Sequence, residues 1–211
     1  MSTLKSFVSR CGVCGQEGDY DIVASAMLDN DLKLDGNPGE YALDTMRCFK
    51  MICKHCGYVS DDIERVPKDF TKDKMKAVYN KIDGFYKPKI AYYLKLSHAY
   101  EMEDPASFHS LIEGAWMADL LADELASKKI KATVFSLFSE IPDFRKVEEE
   151  IFWIAAIDFG RRLGFFNETL KNIEEGLKLF TDETLLKVLR FQKKLCQKRI
   201  LSEYSLKRAL N

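Results

Sequence analysis

Cysteines 11, 14, 53 and 56 form two short pairs, Cys11-Gly-Val-Cys14 and Cys53-Lys-His-Cys56, and each pair has the spacing to hold one edge of a metal tetrahedron. A glycine follows each pair at once, Gly15 and Gly57, and lets the backbone curl round the metal with a positive φ that other residues resist. Four thiolates close a zinc shell and leave no open position to activate water, so the expected ion is one structural Zn2+ per chain, not a catalytic one. A redox CxxC would be a single pair beside a βαβ pattern, and neither condition holds here. The 38 residues between the pairs exceed the roughly 15 to 20 of a compact ribbon, so part of that segment must loop out. His55 lies inside the second knuckle, but the two flanking thiolates already satisfy the spacing, so its ring is expected to point outward. Cys48 and Cys196 stand alone and read as small apolar core residues, while His98 and His109 receive no role.

The elements that position these cysteines change character near Pro67. Before it, Tyr20 to Leu28 and Tyr41 to Ile52 read as strands, separated by the turn-forming run Leu34-Asp-Gly-Asn-Pro-Gly39. Two knuckles on hairpins would then meet at one metal, which supplies the core that about 60 residues cannot otherwise assemble. After Pro67 the pattern is helical. One helix runs from Thr71 to Asp83 and stops at Gly84, and a second runs from Tyr86 to Glu103. Asp104 caps a third with Pro105 in its first position, and the apolar repeat of Phe108, Leu111, Ile112, Ala115, Trp116, Ala122 and Leu125 carries that helix to about Lys129. A helix over about Phe144 to Leu163 ends at Gly164, another opens at Asn167, and Asp182 caps the last, which continues into the tail. The fold class is therefore α+β: residues 1–70 as a zinc-ribbon-like β domain and residues 71–211 as an all-α domain of helical hairpins. A tetratricopeptide repeat begun at Glu150 places Trp153 and Gly164 correctly but meets Thr169 and Gly176 at its small-residue positions and lacks a closing proline.

Cys11-Gly-Val-Cys-Gly15 and Met51-Ile-Cys-Lys-His-Cys-Gly-Tyr58 resemble the paired knuckles of the bacterial DUF2225 family. Phe159-Gly-Arg-Arg-Leu-Gly164 resembles that family's Tyr-Arg-Arg-Leu-Gly turn, and Ser110-Leu-Ile-Glu-Gly-Ala-Trp116 resembles a helix it carries before a tryptophan. The resemblance implies a zinc-ribbon-like N-terminus followed by tetratricopeptide-like helices; the family has no settled activity, so it implies architecture more than function. Val13 and Gly160 depart from its pattern, standing where a proline-containing knuckle and an aromatic turn residue are common, and Gly160 in particular implies a different repeat surface.

Composition excludes collagen-like, disordered and membrane-embedded classes: 46% of residues are hydrophobic, 31% are charged, and no run reaches the roughly 18 uncharged apolar residues of a spanning helix. The start Met-Ser-Thr-Leu-Lys-Ser has no apolar signal-peptide core, so the expected compartment is the cytoplasm, where thiols stay reduced for metal and not paired in disulfides. No phosphate loop, His-Glu-x-x-His or Gly-x-Ser-x-Gly appears, and a conventional enzyme is disfavoured. Two functions fit what remains. One is a protein-interaction module or adaptor with a protein partner, its aromatic anchors drawn from Tyr92, Tyr93, Tyr100, Trp116 and Trp153. The other is nucleic-acid binding by the ribbon and the basic tail. Net charge is −1, but residues 184–211 carry eight basic side chains against Glu203, and Lys187, Arg190, Lys194 and Lys198 are the candidate anion or partner contacts. The ribbon opposes a polyanion, because eight acidic residues face three basic ones between the cysteine pairs.

Overall fold

The computed structural model describes residues 3–25, 32–39, 51–100, 104–141 and 150–211. The described residues are mostly helical, with eight helices and two small antiparallel sheets. Most of the strand expected over Tyr41 to Ile52 lies outside the described residues, as does Cys48. Among the described residues no helix is long and apolar enough to cross a membrane. The chain divides into two compact units, residues 1–28 with 40–121 and residues 29–39 with 122–211. The boundary expected near residue 70 falls inside the first unit.

In the first unit, β1 (Thr3–Arg10) and β2 (Glu17–Ser25) pair antiparallel, with Phe7 opposite Tyr20 and Arg10 opposite Glu17. β1 is the strand that sequence reasoning left out; its partner β2 is the run from Tyr20, extended back to Glu17. The second hairpin is short, β3 (Met51–Ile52) against β4 (Val59–Ser60). Three helices follow: α1 (Lys72–Asp83), whose cap Thr71 accepts from the Lys74 amide, α2 (Pro88–Ser97), and α3 (Pro105–Leu120), whose cap Asp104 accepts from the Ala106 amide. α2 and α3 pack face to face through Tyr93, Leu96, Phe108, Ile112 and Trp116, all buried. Burial of a side chain of this size contributes about 1.5–3 kcal/mol. The hairpins join these helices without a break: Tyr58, Phe70 and Tyr79 form a chain of rings with centroids 6.2 and 6.4 Å apart, and the Val59 amide donates to Tyr79 Oη. That packing explains why Pro67 marks a change of secondary structure and not of compact unit.

The helix expected to continue to about Lys129 is instead two. α3 ends at Leu120, Ala122 adopts φ +48°, and Asp123 caps α4 (Glu124–Glu140) by accepting from the Ala126 amide. The apolar spacing runs through the break in sequence only: its last two members, Ala122 and Leu125, are exposed, so periodicity alone hides the break.

The second unit adds α5 (Glu150–Arg162), α6 (Phe166–Leu179), α7 (Glu183–Gln197) and the five-residue α8 (Leu206–Leu210). Consecutive helices α4 and α5, α5 and α6, and α6 and α7 pack together. α5 is central. Phe152, Trp153, Ala155, Ala156, Ile157 and Phe159 are all fully buried, and the Trp153 ring meets Phe138 and Phe180 edge-on at 5.0 and 5.3 Å. The last helix does not continue through the tail: Arg199 at φ +53° ends α7.

The turn over Leu34 to Gly39 forms as its residues require, with Gly36 at φ +82° and the Lys33 amide donating to the Asn37 carbonyl. Among the described residues its backbone pairs with the tail: Lys33 bridges to Ser205. Leu34 is fully buried against Val188 and Leu195, its amide donates to the Tyr204 carbonyl, and the Leu206 amide donates to the Leu32 carbonyl. This strap, drawn from between the two cysteine pairs, is part of the core of the second unit.

Candidate metal centre

Each CxxC occupies the turn of one hairpin, and the two turns are built alike. The Gly15 amide donates to the Cys11 carbonyl at 2.7 Å and the Gly57 amide to the Cys53 carbonyl at 2.8 Å, with φ of +71° and +78° at the two glycines. The Cys11 amide donates to Gln16 and the Cys53 amide to Tyr58, closing each knuckle. No atom crowds the position a Cβ would take at Gly15 or Gly57, so it is the backbone conformation that requires glycine there.

The four Sγ atoms lie within 4.8 Å of one another, and none is in a disulfide. Cys11 Sγ stands 3.7 Å from Cys56 Sγ, and Cys14 Sγ stands 3.7 Å from Cys53 Sγ. A tetrahedron with Zn–S bonds of about 2.3 Å has edges of about 3.8 Å, so the thiol cluster has the size such an ion requires. The first cysteine of each knuckle is buried and the second is half-buried. Burial pushes the Cys11 and Cys56 thiols up. Burial also opposes the Cys53 thiolate, but the amides of Cys56 and His55 and the thiols of Cys56 and Cys14 outweigh it and bring Cys53 down to about 6. Packed this closely, four thiolates repel one another, and their combined charge is supported only around a cation. Tyr20, buried on β2, sets its hydroxyl beside these thiols, and burial first and Cys53 second push it far above the ordinary tyrosine range.

His55 is exposed and stands outside the cluster, as do His98 and His109; the latter lies 3.8 Å from Glu113 on the same helix. Cys196 is buried in the second unit and acts as core. The expected aromatic anchors are not at the surface: Tyr92, Tyr93, Tyr100, Trp116 and Trp153 are between 0% and 7% exposed and hold helices together. Lys187, Arg190, Lys194 and Lys198 do share the exposed side of α7 and its end, where Arg190 lies 3.7 Å from Glu183.

Sequence reasoning missed a buried charge network in the second unit. Arg161, fully buried, donates to Asp158 at 2.5 Å, to Gln192 at 2.9 Å, and to the carbonyls of Ile200 and Ser202 at 2.6 and 2.9 Å, which pins the tail. Arg162 Nη1 lies 3.5 Å from Asp35, 3.8 Å from Asp158 and 3.7 Å from Glu203. Asp35 is fully buried on the strap and accepts from the Asn37 amide; burial, then Asp158, push its carboxyl up to about 7, against the pull of Arg162, the Asn37 amide and Lys131. The only local signal was the pair Arg161-Arg162 at a helix end, which reads equally well as a solvated terminus. No family model, curated protein or solved structure matches the chain.

Proposed function

We propose that this is a non-catalytic zinc protein that acts as a protein-interaction module or adaptor, with the metal building the N-terminal hairpins and the helices receiving a partner segment. The observation that carries the reading is the closed set of four thiols: a tetrahedral shell of four thiolates gives a metal no position for substrate, so its contribution is to folding. Cys11, Cys14, Cys53 and Cys56 are the ligands in this reading, and cytoplasmic residence keeps them reduced. The succession of packed helix pairs from α4 to α7 supports a tetratricopeptide-like stack as the receiving surface. The test is capture of partners by the tagged full chain from its native lysate, with and without nuclease, alongside metal analysis of the same preparation. A set of proteins that survives nuclease, with one zinc per chain, is the expected result; recovery of no specific protein overturns the adaptor.

A nucleic-acid role has one supporting observation, the exposed alignment of Lys187, Arg190, Lys194 and Lys198 along about 16 Å of α7. Phosphate binding there would weaken steeply with salt and respond to Lys194→Ala with Lys198→Ala. Absence of DNA or RNA retention at near-physiological salt removes this alternative.

A further inference from the structure

A groove on the second unit lies between the C-terminal half of α4 and the start of α6. It encloses about 440 Å³ and is lined by Ala132, Phe135, Ser136, Ser139, Glu140, Phe165 and Glu168. Two features set it apart from a plain surface dent. The Phe165 ring is 42% exposed yet held in place, stacked on Phe135 with centroids 5.4 Å apart and planes 26° from parallel. Phe135 itself is sunk into α5 at Gly160, where a Cβ would stand 2.3 Å from the Phe135 ring and 2.6 Å from Thr169 Oγ1. The missing side chain at Gly160 thus makes the seat for the groove's aromatic floor. Both charged residues of the lining are acids, Glu140 and Glu168, and no base belongs to it.

We infer that this groove receives a short partner segment in which an apolar side chain stands next to a lysine or arginine. The apolar group covers the Phe135–Phe165 stack, and the cation meets Glu140 or Glu168 at the rim. Charge complementarity selects the basic segment, since an acidic one would meet two like charges, and the volume suits a few side chains and not a whole domain. A preset aromatic pair loses little freedom on binding, which is how such anchors concentrate affinity. The inference names the receiving surface of the adaptor proposed above and rests on that reading.

The experiment is a fluorescence-anisotropy titration of the full zinc-loaded chain with labelled peptides Ala-Lys-Leu-Phe-Lys-Ala and Ala-Glu-Leu-Phe-Glu-Ala. The basic peptide is expected to bind and the acidic one not; Phe165→Ala, which removes the half-exposed ring of the stack, should weaken binding about tenfold, and Glu140→Gln with Glu168→Gln should weaken it and flatten its salt dependence. Equal binding of both peptides, no binding of the basic one, or indifference to Phe165→Ala overturns the groove. If the Phe165→Ala chain still captures the same lysate partners as the parent, the groove fails while the adaptor stands. If the parent captures none, the adaptor fails on its own account.

Discussion

Asp35→Asn should change how the stability of the second unit depends on pH. A carboxyl that ordinarily titrates near 3.8 is held in the folded unit at about 7, chiefly by burial and then by Asp158. Between about pH 4 and 7 the folded unit keeps a proton that the unfolded chain has released, so stability falls as pH rises across this window and is lowest above it. At about 1.4 kcal/mol per pH unit, the fall contributed by Asp35 is about 4 kcal/mol. The amide removes the titration and still offers an oxygen to the Asn37 amide, which donates to Asp35 Oδ1 at 3.0 Å in the parent. Arg162 loses one carboxylate but keeps Asp158 and Glu203 within 3.8 Å. The variant should therefore gain on the parent steadily from about pH 4 to about pH 7 and hold that gain above it. Urea unfolding followed by Trp153 fluorescence, in a Trp116→Phe background so that only the second unit reports, measures the difference between the two proteins. Two companion variants set the sign independently: Asp158→Asn should move the transition to lower pH and Arg162→Gln to higher pH. A parent–variant difference that stays constant over the range, or that runs the other way, refutes the reasoning.

Cys14→Ser and Cys56→Ser should each abolish stoichiometric zinc and open the N-terminal hairpins to protease while leaving most of the helical circular dichroism; zinc content and resistance equal to the parent would contradict the four-cysteine site. Cobalt in place of zinc should give the absorption of a tetrahedral tetrathiolate complex, and an octahedral spectrum would count against closure. Gly160→Ala gains about 1 kcal/mol of helix propensity but forces a Cβ against Phe135 and Thr169, an overpacking that costs about 1–3 kcal/mol, so a net loss is expected by denaturant unfolding together with weaker binding of the basic peptide. Arg161→Met leaves Asp158 short of its buried partner and the Ile200 and Ser202 carbonyls without donors, at about 3–5 kcal/mol; amide exchange over 200–210 should accelerate.

The cluster of four cysteines was legible because a CxxC followed by glycine is a local rule: four residues and a positive φ define each knuckle wherever it lies in the fold. Helix ends marked by chemistry were equally readable, at Thr71, Asp104-Pro105, Gly164 and Asp182, since each cap is decided within one turn. The break at Ala122 was not, because alanine carries no mark of a positive φ and the apolar period passes through it. The tyrosines and tryptophans offered as partner anchors show a second limit. Aromatic spacing reports a buried face without saying whether that face meets the same chain or another, and all five meet their own. The Asp35–Arg162 and Arg161–Ile200 pairings were beyond reach for a third reason, since each joins residues that only the tertiary fold brings together, and the groove over Gly160 depends on a side chain that is absent.

The strap has a consequence for the order in which this protein can be made. Leu34 and Tyr204, joined by a backbone hydrogen bond, stand 170 positions apart in the chain, so Leu34 leaves the ribosome long before the segment that covers it exists. The first unit, whose last residue is Leu121, can close during synthesis, whereas the second must wait for its own C-terminus and then recruit a loop from inside a neighbour already formed. Closure over so long a separation is entropically costly and slow, and it makes assembly of the helical unit the last event of folding. A nascent chain truncated between residues 122 and 203 would carry an intact pair of cysteine knuckles and an unsealed helical core.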